Sequence, residues 1–152
     1  MAIDIKQVSR KILEDVFGNG RLEYLDEVCD RSFKAHDPLI GDYDLAGFKG
    51  EVQMYRRAFP DLKPAILGIC AEADTVCIRW RMSGTHENPL LGIAPTGKKV
   101  TAEGISFDRF VNGKLAETFT QWDTLRFLQT LGVVPKVELE APKAKAERQP
   151  HA

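Results

Sequence analysis

Asp123 closes a strand-like run and opens a short helix-like one, DTLRFLQTLG. Two roles fit that position. Just ahead of a helix it is a capping carboxylate. Beside Trp122, at the end of a run that holds Phe119, it is a partly desolvated carboxyl whose raised pKa suits acid/base work. His86 ends another strand-like run, just before a loop, on the parity of Trp80 and Met82. There it is either a satisfied core histidine or one that meets a ligand. His36 stands beside Asp37, the residue types of a general base and its orienting carboxylate. Adjacent strand residues point to opposite faces, so these two cannot easily pair. Asp37-Pro38 then starts a turn, and His36 either lines a wall or reaches a pocket. Asp42 and Asp44 lie in a polar, glycine-containing loop without metal-ligand spacing, and read as a cap for the next helix. Pro95-Thr96-Gly97-Lys98 lacks the spacing of a phosphate-cradling loop. Cys29, Cys70 and Cys77 form no CxxC pair and read as small apolar thiols of a reducing compartment.

The element that must position Asp123 is the stretch KVTAEGISFDRFVNGKLAETFTQWD, Lys99 to Asp123. Asn112-Gly113 supplies both positive-φ positions of a type I′ turn, so the stretch is expected to be a hairpin. Pairing outward from the turn sets Phe110 against Leu115, Ser106 against Phe119, Gly104 against Gln121 and Ala102 against Asp123. Small residues facing larger polar ones leave room for a ligand on that face. Ile105, Phe107, Thr118, Thr120 and Trp122 share the other face. The register also sets Asp108 against Glu117, and like charges directly opposite repel. A bulge would resolve this and swap the face of everything beyond it.

Earlier in the chain, Asp4 to Phe17 has helical apolar spacing, with Asp4 as cap and Gly18-Asn19-Gly20 as stop. A shorter helix carries Leu22, Leu25 and Val28. Ser32 to His36 reads as a short strand. Leu45 to Ala58 reads as a helix with Phe48, Val52, Tyr55 and Phe59 on one face and Arg56 and Arg57 on the solvated side. Lys63 to Ala71 and Thr75 to Thr85 read as strands around an Ala73-Asp74 turn, the second with Val76, Ile78, Trp80 and Met82 on one face. Glu87 to Lys98 is a loop whose Leu90, Leu91 and Ile93 are too apolar for water, and reads as a flap. The charged, alanine- and proline-rich segment from Pro135 is expected to be a disordered tail. The expected organisation is one domain over residues 1–134, followed by the tail over 135–152. Helices first and a meander later imply an α+β fold, a curved antiparallel sheet wrapped around the helices.

The 152 residues suffice for one domain, and 43% hydrophobic with 28% charged residues is ordinary globular composition. A net charge of −1 gives no basic field for nucleic acid. The first ten residues, MAIDIKQVSR, hold no apolar signal core, and no run approaches a membrane span. The expectation is a soluble cytoplasmic protein without a metal.

Five motifs occur in order: Ala58-Phe59-Pro60-Asp61-Leu62, Gly84-Thr85-His86, Pro95-Thr96-Gly97-Lys98, Asn112-Gly113-Lys114-Leu115 with Glu117, and Trp122-Asp123 followed by Leu131-Gly132. The series resembles the SnoaL-like polyketide cyclase family, of the superfamily with the nuclear transport factor 2 and ketosteroid isomerase fold. The resemblance covers roughly Ile3 to Val134. It implies a cone-shaped α+β barrel with a deep apolar pocket. It also implies a homodimer through the outer sheet face, for which Ile105, Phe107 and Trp122 are suited. In those cyclases an aspartate at the place of Asp123 is the acid/base of an aldol ring closure, without metal or cofactor. Carried over, Asp123 takes the α-proton or returns a proton to the alkoxide. His86 and Gln121 hydrogen-bond the enolate or carbonyl oxygen. Trp80, Phe119 and the Leu90/Leu91 flap bind a flat apolar body. The run GISFDRF carries no histidine, where the aromatic polyketide cyclases have an assisting one.

The function expected is acid/base chemistry on a small apolar carbonyl compound, by aldol cyclisation or isomerisation. Two alternatives stand beside it. One is a non-catalytic module that binds a small molecule or a protein partner. The other is an epoxide or lactone hydrolase in which Asp123 activates water. Fold alone does not choose among them.

Overall fold

The computed structural model describes residues 3–140 and residue 142. Helix α1 (Ile5–Lys11) begins at Asp4, whose side chain accepts from the Gln7 N–H at 3.2 Å. It continues as a π-helical segment (Ile12–Phe17), which the periodicity did not foretell. π-Helical turns often mark functional sites. Helix α2 (Glu23–Val28) leads into strand β1 (Cys29–Asp37), longer than the strand expected from Ser32. A three-residue strand, β2 (Gly41–Tyr43), occupies the expected loop. Asp44 caps helix α3 (Leu45–Ala58), accepting from the Gly47 N–H at 2.9 Å. Strands β3 (Lys63–Glu72), β4 (Thr75–Thr85), β5 (Lys99–Val111) and β6 (Lys114–Trp122) follow, then helix α4 (Thr124–Thr130). Residues 135–140 lie in neither helix nor strand. Of the rest of the expected tail, all but Pro142 lies outside the described residues. No helix among the described residues is long and apolar enough to cross a membrane.

The strands form one curved sheet in the order β2-β1-β6-β5-β4-β3. It does not close on itself, so the α+β architecture is an open half-cone rather than a complete barrel. Neighbours are antiparallel except β1 and β6, which run parallel. The helices cover the concave face. Val16, Leu25, Phe33, Val52 and Ile78 make the main core. Phe59, Leu90, Val100, Phe127 and Leu131 make a second one under α4 and the 86–98 loop. Arg56 is not on a solvated side. Its guanidinium donates to the carbonyls of Phe17 and Gly18, 2.8 Å each, and so satisfies the open end of the π-helical segment.

The hairpin turn forms at Asn112-Gly113 with φ of 50° and 77°. Phe110 pairs with Leu115, but the next pair is Arg109 with Glu117. Ala116 is therefore the extra residue of a bulge. The reason is electrostatic. The bulge replaces an Asp108–Glu117 opposition with an Arg109–Glu117 ion pair at 3.0 Å, and gives Asp108 a hydroxyl donor in Thr118 at 2.6 Å. Everything beyond changes face. Ser106 now pairs with Thr120, Gly104 with Trp122, Phe107 with Phe119 and Ile105 with Gln121. Thr118, Thr120 and Trp122 turn to the concave side. Phe119 and Gln121 turn to the convex side. This corrects the expected sharing of faces, and removes Trp122 from the outer surface. Gly104 lets the concave side close: a Cβ there would lie 2.5 Å from Trp80 Cζ2 and 2.6 Å from Trp122 Cβ.

Candidate active site

A cavity of ≈ 110 Å³ lies between the helices and the concave sheet face. An engineered apolar cavity of roughly 150 Å³ binds benzene, so this smaller one is on the scale of a single small ring at most. Its walls are mostly aromatic and aliphatic: Ile12, Leu13 and Phe17 of the π-helical segment, Trp80 of β4, Trp122 of β6 and Phe127 of α4. Few polar groups reach it, and apart from Ser83 they fall in three sets.

The first set belongs to α3 and β2. Helix α3 carries Phe48, Glu51 and Tyr55 at i, i+3 and i+7, one face of a helix. That face turns toward the cavity, so Glu51 is carried inward with its apolar neighbours. The Tyr43 hydroxyl donates to Glu51 Oε2. The Tyr55 hydroxyl is buried and has no hydrogen-bond partner. Glu51 as a residue is half-buried, but its carboxyl is enclosed. Burial pushes that carboxyl up to about 7; the Tyr43 hydrogen bond opposes the rise and the charge of Asp37 adds to it. Burial, with Glu51 beside them, also raises both tyrosines, so they remain hydroxyl donors at neutral pH.

The second set is Asp37 with Trp122. Asp37 Oδ1 accepts from the Leu39 and Ile40 N–H groups at 2.8 and 2.9 Å, and Oδ2 accepts from Trp122 Nε1 at 2.9 Å. This carboxylate holds the β1–β2 turn and fixes one indole wall.

The third set is Asp108, fully enclosed. Ser9 and Thr118 hydroxyls each donate to it at 2.6 Å, tying α1 to β5 and β6. Burial raises its pKa, and the two hydroxyls partly offset the rise. Nearby, Trp80 Nε1 donates to Ser106 Oγ at 3.0 Å, which lies 3.1 Å from Thr120 Oγ1.

Of the site residues expected from sequence, Trp80 lines the cavity. The others lie elsewhere. Asp123 is exposed and caps α4, accepting from the Arg126 N–H at 3.0 Å. It flanks a shallow groove on the convex side with Arg79, Glu103 and Gln121. His86 is buried in the second core against Phe59, ring centroids 5.5 Å apart. Its Nδ1 accepts from the Thr96 N–H at 3.2 Å and meets Thr96 Oγ1 at 3.0 Å. His86 thereby pins the 86–98 loop, together with its own N–H donating to the Lys98 carbonyl at 2.9 Å. In that loop Leu90 is the buried anchor and Leu91, at the turn tip, is 51% exposed. His36 is on the convex face between Asp42 at 2.9 Å and Glu117 at 2.8 Å, and stacks on Phe119 at 4.6 Å. Hydrogen bonds to those two carboxylates, Glu117 first, hold its pKa above the ordinary value.

Tyr43, Glu51, Tyr55 and Asp108 were missed from sequence. The signal for Glu51 was present: it lies on the apolar stripe of α3, between Phe48 and Tyr55. The signal for Asp108 was its like-charge opposition to Glu117, which a bulge relieves.

An open curved sheet folded over helices, with an apolar cavity at its concave face, defines the nuclear transport factor 2-like class. A family model, SnoaL-like polyketide cyclase, matches residues 7–131, and this chain belongs to that family. Solved structures agree. A proposed SnoaL-like polyketide cyclase of Jannaschia sp. CCS1 superimposes with a TM-score of 0.77 at 17% identity, over 85% of this chain and 92% of that one. IdmH, a proposed polyketide cyclase of Streptomyces antibioticus, gives 0.72 at 26% identity, over 86% and 99%. A proposed polyketide cyclase of Acidithiobacillus ferrooxidans gives 0.70 at 28% identity, over 87% and 98%. No curated protein matches this chain in sequence.

Proposed function

We propose that this chain is an acid/base enzyme acting on a small apolar carbonyl compound, with Glu51 as the proton carrier. One observation carries the reading: a carboxyl held near neutrality sits beside an unpartnered tyrosine hydroxyl in an apolar cavity. General bases work best when their pKa lies near the operating pH. A buried donor without a protein partner is costly, and the Tyr55 hydroxyl, facing the cavity, has a ligand atom there as a partner of the right kind.

The proton moves as follows. The ionised Glu51 carboxylate takes a proton from the carbon next to the carbonyl. The C–H electron pair passes into the enolate, and its oxygen accepts a hydrogen bond from the Tyr55 hydroxyl. Tyr43, whose hydroxyl donates to Glu51 Oε2, holds that carboxyl in place. The protonated Glu51 then returns its proton. Return to a different carbon is isomerisation. Attack of the enolate carbon on a second carbonyl, with the proton delivered to the new alkoxide, is aldol closure. Trp80 and Trp122 would flank the flat substrate, and the cavity volume selects a molecule of about one ring. Asp123 is committed to its cap and takes no part.

The test is exchange of α-protons for deuterium, followed by proton NMR, across a panel of one-ring ketones. The wild type is expected to accelerate exchange for at least one member. Tyr55→Phe is expected to lose about 10²-fold of that rate, as removal of an oxyanion donor does elsewhere. Saturable binding without any exchange would instead favour a non-catalytic binding module.

A further inference from the structure

Cys70 of β3 and Cys77 of β4 stand directly opposite one another in the antiparallel pair. The neighbours of Cys77, Val76 and Ile78, are buried in the core, so Cys77 and its partner point to the convex side. Cys70 is exposed, Cys77 is half-buried, and both thiols are free. Directly opposed residues of antiparallel strands have Cα atoms about 4.5–5.5 Å apart. A disulfide needs about 4.4–6.8 Å. The register therefore places the two Cα atoms within the range that a disulfide spans.

We propose that Cys70 and Cys77 form a reversible dithiol–disulfide site on the convex face, separate from the cavity. Its co-reactant is a small soluble disulfide of the glutathione type. The Cys70 thiolate, the more accessible, attacks one sulfur of that disulfide; the S–S bond breaks and one thiolate leaves. The Cys77 thiolate then attacks the Cys70 sulfur of the mixed disulfide, and the second small thiolate leaves. Two protein thiols are oxidised, one small disulfide is reduced to two thiols, and the two protein protons end on them. The order of attack follows access and acidity. Burial, with Cys70 close by, raises the Cys77 thiol. Cys29 stays out of the exchange: it is buried and its thiol is pushed up to about 12. The bridge closes only a short hairpin loop, so it constrains little of the unfolded chain. An exposed bridge of this kind belongs with the labile, readily reduced disulfides.

The test uses the full chain, oxidised glutathione and intact mass. Oxidised wild type is expected to lose two hydrogens and to leave one thiol open to iodoacetamide after denaturation. Reduced protein has three such thiols. Dithiothreitol should restore all of them. Peptide mapping of the wild type should find Cys70 joined to Cys77, which makes the result independent of whether variants fold. Cys29→Ser should still form the bridge, and Cys70→Ser and Cys77→Ser should not. Three alkylatable thiols after excess oxidant would overturn the proposal. So would a persistent glutathione adduct on the wild type, or a disulfide-linked pair of chains.

Discussion

Glu51→Gln is expected to cost about 10²–10⁴-fold in α-proton exchange on the best ketone of the panel, the usual contribution of a positioned acid/base group. Asp123→Asn is expected to stay within about twofold of wild type, because Asn is also a good cap and only the cap is at stake. The contrast separates the two carboxylates that could be argued to carry the chemistry. Glu51 is enclosed among Tyr43, Tyr55 and the aromatic walls. Asp123 is outside, bonded to the first turn of α4. Gln keeps the shape of Glu and can still accept from Tyr43, so the fold should survive the change. Only the ability to take and return a proton is lost. The reverse pattern, with exchange surviving in Glu51→Gln and lost in Asp123→Asn, would return the chemistry to the convex side.

The second large effect is on stability. The Glu51 carboxyl has an ordinary value of 4.5 and is held at about 7 in the folded chain. Between those values the folded chain binds more protons than the unfolded one. Its contribution to stability is therefore fully present below about pH 4.5 and lost as pH rises through about 7. The difference corresponds to about 3 kcal/mol. Asp108 acts in the same direction, since its pKa is also raised by burial. His36 adds a further loss as pH rises through its raised value. Both remain in Glu51→Gln. Urea unfolding of wild type and variant at several pH values should show the variant gaining about 3 kcal/mol relative to wild type between about pH 4.5 and about pH 8. Parallel profiles would mean that Glu51 titrates as an exposed carboxyl does.

Sequence carried the fold further than it carried the site. The Asp4 and Asp44 caps, the Asn112-Gly113 turn and the alternation of β4 are local signals, and local physics decides them. The parallel contact of β1 with β6 joins residues far apart in the chain, and no local pattern announces it. Strand β2 is too short for periodicity to register. The site depended on one residue of register. With Ala116 bulged, Phe119 and Gln121 leave the concave face, while Asp108 stays on it and gains the Thr118 hydroxyl in place of Glu117. Period-2 reasoning cannot survive an unplaced bulge, because one residue inverts every face beyond it. Glu51 was hidden differently. A carboxylate on an apolar helical stripe is read as a break in the stripe, when it is the polar group that the stripe delivers to the cavity. Asp37 was legible as the start of a turn, and that is what it does, with the Trp122 indole as its second duty.

The most direct measurement is a carbon-13 NMR titration of the Glu51 carboxyl, assigned by comparison with Glu51→Gln. It needs no substrate. A midpoint near 7 is expected, moved upward from the ordinary 4.5 by burial beside Asp37. A midpoint at the ordinary value would place Glu51 in water and contradict the acid/base role assigned to it.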